Sequence, residues 1–185
     1  MNTHATPRTM LNRFRTCLIF SSLAVAAAYA QTQAKDATYP RPADVTTLDG
    51  MMRAYYEVVS GGPGVPRDVA RDLSLHHPDA AIFIRKRNEK KERELVRFSV
   101  KEYHANAKAG LEAGFFERET KRETKTFGHS VHVWSTYEAR STADGPVIAR
   151  GINNIMLSYD GKRYWILAET WDDESKSNPL PKDNK

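Results

Sequence analysis

Hydrophobic residues recur at helical spacing between positions 45 and 59, where Val45, Leu48, Met51, Met52, Tyr55, Tyr56 and Val59 fall on one side. Thr46 with Asp49 offers a capping box at the front of this helix, and Gly61-Gly62-Pro63-Gly64 ends it. A second, short helix is expected over 67–76, with Val69, Leu73 and His76 or His77 on one side and Pro78 as its stop. Ala81-Ile82-Phe83-Ile84 and residues 94–98 read as short strands, joined by an almost wholly charged hairpin loop. Ser99 with Glu102 forms another capping box. It opens a helix through Tyr103, Ala107 and Leu111 that ends near Gly114.

After residue 115 the period changes from helix to strand. Residues 117–126 alternate charges with threonines, as a strand with one wet face does. Three further alternating runs, 129–141, 147–159 and 162–172, are separated by Asp144-Gly145 and Asp160-Gly161, which favour tight hairpin turns. Taking both turns as two-residue loops fixes a register. Trp134 then lies beside Ile155 and Ile155 beside Ile166. Thr136, Asn153 and Ala168 form the next row, Glu138, Gly151 and Thr170 the third, and His132, Leu157 and Tyr164 flank the tryptophan row. The opposite face carries Val133, Ser135, Tyr137, Ile152, Met156, Trp165 and Glu169, among others. Neither face is purely polar. One is expected to be covered by the helices and the other by a second copy of the chain, with Trp165, Met156 or Val133 near that interface.

Residues 1–30 change the picture of charge. Arg8, Arg13 and Arg15 precede an apolar run from Leu18 to Ala28, and Ala28-Tyr29-Ala30 is a small-x-small cleavage site before Gln31. This reads as a signal peptide, with Met10 a possible start, and it implies a periplasmic or secreted protein. The run is too short for a membrane span of about 20 residues, so no stable span is expected after cleavage. The 185-residue chain has 28 Lys and Arg against 23 Asp and Glu, but removal of the leader takes away three arginines and no acid. The remaining balance of 25 against 23 gives no reason to expect nucleic-acid binding. Cys17, the single cysteine, falls in the leader, which excludes disulfides and thiolate chemistry from the rest. Residues 31–43 read as a flexible segment, 44–174 as one domain and 175–185 as a flexible tail.

The order is helix, short helix, hairpin, long helix and antiparallel meander. With the segments Leu48 to Gly61 (LDGMMRAYYEVVSG), His77-Pro78-Asp79-Ala80, Ser99-Val100-Lys101-Glu102-Tyr103, Val133-Trp134-Ser135-Thr136-Tyr137-Glu138, Arg150-Gly151-Ile152-Asn153-Asn154 and Asp160-Gly161-Lys162-Arg163-Tyr164-Trp165-Ile166, it resembles the nuclear transport factor 2-like superfamily. That superfamily includes ketosteroid isomerase and scytalone dehydratase. The resemblance implies an α+β fold, a curved antiparallel sheet forming a cone around N-terminal and central helices, with a pocket in the cone and often a homodimer. It does not imply a reaction, because the same fold hosts enzymes and binding modules.

Chemistry therefore has to come from residues. No HExxH, cysteine pair, phosphate loop or Gly-x-Ser-x-Gly occurs, so neither a metal nor a cofactor is expected. His76-His77-Pro78-Asp79 invites an acid–base reading, but a core or rim position fits it better. The register above puts His132, Trp134, Thr136, Glu138, Asn153 and Ile166 on the pocket face, with Tyr55 reaching it from the first helix. Tyr55, Trp134, Thr136, Asn153 and Ile166 are the expected ligand contacts. His132 and Glu138 are the candidate catalytic pair, with burial beside Trp134 expected to raise the Glu138 pKa. Three functions stay open: binding of a small apolar or aromatic molecule, cofactor-free isomerisation or dehydration by proton transfer, and a non-catalytic interaction subunit with a filled pocket.

Overall fold

The computed structural model describes residues 38–87, 89–90, 92–107 and 112–182. The leader expected over 1–30 and the Leu111 end of the third predicted helix lie outside them. All elements below belong to the compact unit Tyr39–Lys185. Helices α1 (Pro42–Val45), α2 (Leu48–Val59) and α3 (Val69–Leu75) precede strands β1 (His76–Arg87) and β2 (Arg93–Phe98). Helix α4 (Val100–Asn106) leads to β3 (Phe116–Phe127), β4 (Ser130–Arg140), β5 (Val147–Tyr159) and β6 (Tyr164–Asp173). The six strands form one sheet in the order β2-β1-β6-β5-β4-β3, antiparallel except for the parallel β1–β6 pair.

Helix α2 is the centre of the core. Met51, Met52, Ala54, Tyr55, Tyr56 and Val58 are buried on it and meet Val131, Val133, Ile155, Leu157 and Ile166 of the sheet. Its cap is Thr47, whose hydroxyl accepts from the Gly50 amide, one residue later than the predicted Thr46. Thr46 instead closes α1. Gly50 has no room for a side chain, since a Cβ there would sit 2.1 Å from the Ala43 carbonyl oxygen. The Ser99–Glu102 capping box forms at α4 as expected.

Strand β1 begins eight residues after Asp68 and five before Ala81, so the predicted short helix and short strand meet at His76. Pro78 does not stop the helix; it sits inside β1. There the pairing with β6 shifts between His76 and Ala81, the kind of irregularity a residue without an N–H imposes.

The predicted register of the meander fails at its turns. Strands β4 and β5 are joined through residues 141–146, not through Asp144-Gly145 alone, and β5 and β6 through 160–163. The two-residue turn lies at Gly128-His129, where Gly128 has φ 58° and Phe127 pairs with Ser130. As a result Trp134 pairs with Asn154, Val133 with Ile155, Tyr137 with Gly151 and Glu138 with Arg150. A one-residue slip reverses the facing of every side chain relative to its neighbour strand. Val131, Val133, Ser135, Tyr137 and Ala139 of β4 thus share the helix side with Gly151, Asn153, Ile155 and Leu157 of β5. A bulge follows on β6: Leu157 pairs with Ile166 but Met156 with Ala168, which leaves Leu167 extra and brings both Ile166 and Glu169 to the helix side.

Four expected pocket residues, His132, Trp134, Thr136 and Glu138, therefore lie on the outer side of the sheet, while Asn153 and Ile166 face the helices with Tyr55. Val133, expected near a subunit interface, is fully buried against α2. The described part of the tail does not hang free. Ser175 bridges Asn178, the Asn178 side chain donates to the Asp173 carbonyl, and buried Leu180 with Pro179 and Pro181 shares a recess with Trp134 and Ile152.

Candidate functional site

Between the helices and the inner side of the sheet lies a cavity of about 270 Å³. Tyr55 and Val59 of α2, Asp72 of α3, Tyr103 of α4, Glu117 of β3 and Asn153 of β5 line it. Strand β6 adds Glu169, Trp171 and Asp173, and β4 adds Tyr137. Each position follows from local rules. The i, i+4 spacing carries Tyr55 and Val59 on one α2 face. Beyond the Leu167 bulge, alternation carries Glu169, Trp171 and Asp173 to the same side. Gly151 gives the Tyr137 ring its space, because a Cβ there would lie 2.5 Å from Tyr137 Oη and 2.4 Å from the Asp172 carbonyl oxygen.

Glu117 is held from both ends. Its amide donates to Ser60 Oγ at 3.0 Å, and its Oε1 accepts from Asn153 Nδ2 at 2.9 Å. The second Asn153 N–H reaches Tyr56 Oη at 3.2 Å, Tyr56 shares a 2.6 Å hydrogen bond with Ser135, and Ser135 donates to Glu119. Burial lifts the Glu117 carboxyl to about 7. The Asn153 hydrogen bond opposes the rise, and the charges of Glu169 and Asp173 add to it.

A second chain of groups runs behind the cavity. Glu169 Oε1 lies 3.4 Å from His76 Nε2, His76 Nδ1 donates to the Asp72 carbonyl oxygen at 2.9 Å and lies 3.3 Å from Asp72 Oδ1, and His104 Nε2 donates to Asp72 Oδ2 at 2.6 Å. Burial opposes charge on both central groups, yet the pairing outweighs it. Hydrogen bonds from His104 and His76 hold Asp72 down at about 2, and the Asp72 and Glu169 carboxylates lift His76 to about 10. These groups bond to one another in sequence; among the described residues no group of three or more converges on a metal position. Tyr55 is pushed up by burial, then by the Glu169 and Glu117 charges. Tyr137 is pushed up by burial and by its hydrogen bond to Asp173 at 2.5 Å. Both phenols keep their protons.

The expected catalytic pair sits elsewhere. Glu138 accepts from Arg140 at 2.8 Å and Arg118 at 3.1 Å, and these bonds lower its pKa, the reverse of the expected rise. His132 Nε2 donates to Asn154 Oδ1 at 2.7 Å, on the outer side. Sequence reasoning missed Glu117, Glu169, Asp72 and Tyr103. Glu169 carried a signal: with the correct register it is an acid on the same face as Ile155. Glu117 carried none, lying among the charges of a strand read as wet. A larger recess of about 450 Å³ runs between α2 and β3, but its charges pair off, Arg122 with Glu119 and Asp49.

No protein-family model and no curated protein matches the chain. Among solved structures it is similar to a protein of unknown function with a cystatin-like fold from Nostoc punctiforme, with 14% identity over 74% of this chain and 98% of that one and a TM-score of 0.50. A nuclear transport factor 2-like protein of unknown function from Methylobacillus flagellatus matches at 16% identity over 69% and 92%, TM-score 0.44. The likeness that reaches a TM-score of 0.50 is to a cystatin-like fold. A candidate ketosteroid isomerase from Shewanella frigidimarina also aligns, at 15% identity over 56% of this chain and 80% of that one, TM-score 0.39. At these identities the likeness concerns the fold alone.

Proposed function

We propose that the protein binds a small molecule in the cone cavity and exchanges a proton with it at Glu117. The observation that carries this reading is a buried carboxyl in a cavity wall whose pKa of about 7 matches what a general acid–base needs near neutrality. Tyr55, which keeps its proton, lines the same cavity. The cavity is slightly smaller than the usual small-molecule pocket of roughly 300–1,000 Å³, so its ligand is compact. A filled cone would leave no such space, and an apolar binding module would not gather this many carboxylates.

The test is solvent deuterium uptake. Small ketones, amines and amino ketones are incubated with the protein in D₂O and followed by proton NMR. Saturable exchange at a carbon next to a carbonyl, lost in Glu117→Gln, is the expected result. Line broadening without exchange for every compound that binds would leave a binding protein and remove the proton transfer.

Two further parts of the reading concern the whole chain. We propose export with cleavage before Gln31, which mass spectrometry of the exported protein checks. We also propose a homodimer through the outer sheet side, where Met156 and Leu167 are 44% and 39% exposed. A monomeric mass by light scattering at micromolar concentration would sink it.

A further inference from the structure

The cavity wall is unusual in its charge. Asp72, Glu117, Glu169 and Asp173 line it, and among the described residues no lysine or arginine does. Three of these acids have their needs met: Asp72 by His104, Glu117 by Asn153 and Asp173 by Tyr137. Glu169 is met at one oxygen only. It is 6% exposed, and its Oε1 pairs with the charged His76 ring, 3.4 Å from Nε2, whereas its Oε2 has no hydrogen-bond partner. A buried carboxylate oxygen left without a donor is costly, and such groups mark places where a missing donor belongs.

The remaining wall is aromatic. Tyr103 and Trp171 meet edge to face at 5.9 Å and make a corner, with Tyr55 and Tyr137 close by. Aromatic walls attract cations through their ring quadrupoles, and carboxylates beside them add a negative potential in a site of low dielectric. An anion entering would meet Glu169 and Asp173 with no fixed base in the wall to receive it. Neutral hydroxyl compounds would satisfy the Glu169 oxygen but gain nothing from the surrounding charge.

We infer that the cavity takes a small protonated amine with a compact apolar body, its N–H on Glu169 Oε2 and its charge against the Tyr103–Trp171 corner. The inference rests on the reading of the cavity as a ligand site and names the class of compound that enters it. It assigns Glu169 to ligand recognition, whereas proton exchange stays with Glu117.

Three compounds of equal shape and different charge test it: benzylamine, benzyl alcohol and benzoate. Each is titrated into the full ¹⁵N-labelled protein, and the indole N–H of Trp171 is followed by NMR. Benzylamine is expected to shift that signal saturably and to bind at least tenfold more tightly than benzyl alcohol, with benzoate leaving it unmoved. Glu169→Gln should cost benzylamine at least tenfold and leave benzyl alcohol within twofold, circular dichroism serving as the check on folding. The wild-type series is decisive even where that variant does not fold. Benzyl alcohol or benzoate binding as tightly as benzylamine would overturn the amine and leave the ligand site standing. A Trp171 signal indifferent to all three would overturn both.

Discussion

The two sides of the same sheet treat the same side chain in opposite ways. Glu138 on the outer side is clasped by Arg118 and Arg140 and its pKa falls, whereas Glu117 on the inner side lies among other acids and its pKa climbs to about 7. The outer acid is stabilised by its surroundings and the inner one is not. A carboxylate that the fold does not need for stability, placed in a cavity wall, is the pattern expected where function and not packing decides the residue.

The largest contrast should come from neighbours on β5. Ile155 is fully buried against α2, and Met156 beside it points outward. Ile155→Ala is expected to cost about 2–5 kcal/mol in urea unfolding, and Met156→Ala less than about 1 kcal/mol. Comparable losses at both would show that another surface covers the outer side. Next comes the pH dependence of Glu117. Its folded pKa lies above the ordinary 4.5, so the protonated form is the one folding favours. Stability is then full below about pH 4.5 and is lost as pH rises towards 7, by about 3 kcal/mol in all. Glu117→Gln should match the wild type at pH 4 and exceed it by about that amount at pH 8. A pH-independent difference would remove the shifted carboxyl.

Gly151→Ala places a methyl group against Tyr137 Oη and the Asp172 backbone, and a loss of about 1–3 kcal/mol is expected. An unchanged melting temperature would mean that Tyr137 is free to move. The smallest effect belongs to Glu138→Gln. Its pKa is lowered, so the stabilisation is present above the ordinary carboxylate range and is lost as pH falls. The pair is partly exposed, which holds the change to about 0.5 kcal/mol at pH 7. A loss as large as that at Gly151 would place Glu138 in a structural network after all.

The helices and the succession of elements along the chain were legible because their signals are local. The spacing of Met51, Tyr55 and Val59 and the Ser99–Glu102 pair need only a few residues to be read. The site was not, because its residues depend on register, and register depends on where each turn closes. Asp144-Gly145 carries the usual hairpin dipeptide, but Gly145 does not take the positive φ that a tight turn of that type demands, and the chain spends six residues there instead. That single difference moved Trp134 and Glu138 away from Asn153. Tyr55, Asn153 and Ile166 were placed on the helix side because two of them never depended on the β4 pairing and Asn153 shares its strand face with Ile155. His76 and Glu169 come together through a parallel contact between β1 and β6, ninety residues apart in sequence, which no pattern of spacing announces.

The extra residue at Leu167 has a consequence for how this scaffold can change. Strand β6 carries two interleaved sets of side chains: Glu169, Trp171 and Asp173, and Ala168, Thr170 and Asp172. The bulge selects the first set for the interior. Were it ironed flat, with Ile166 left in place, the second set would turn inward and an acidic, aromatic lining would become a small, mostly neutral one. The strand thus holds a spare lining in reserve, and a shift of one position in the backbone, without any substitution in the wall itself, would be enough to exchange one chemistry for another.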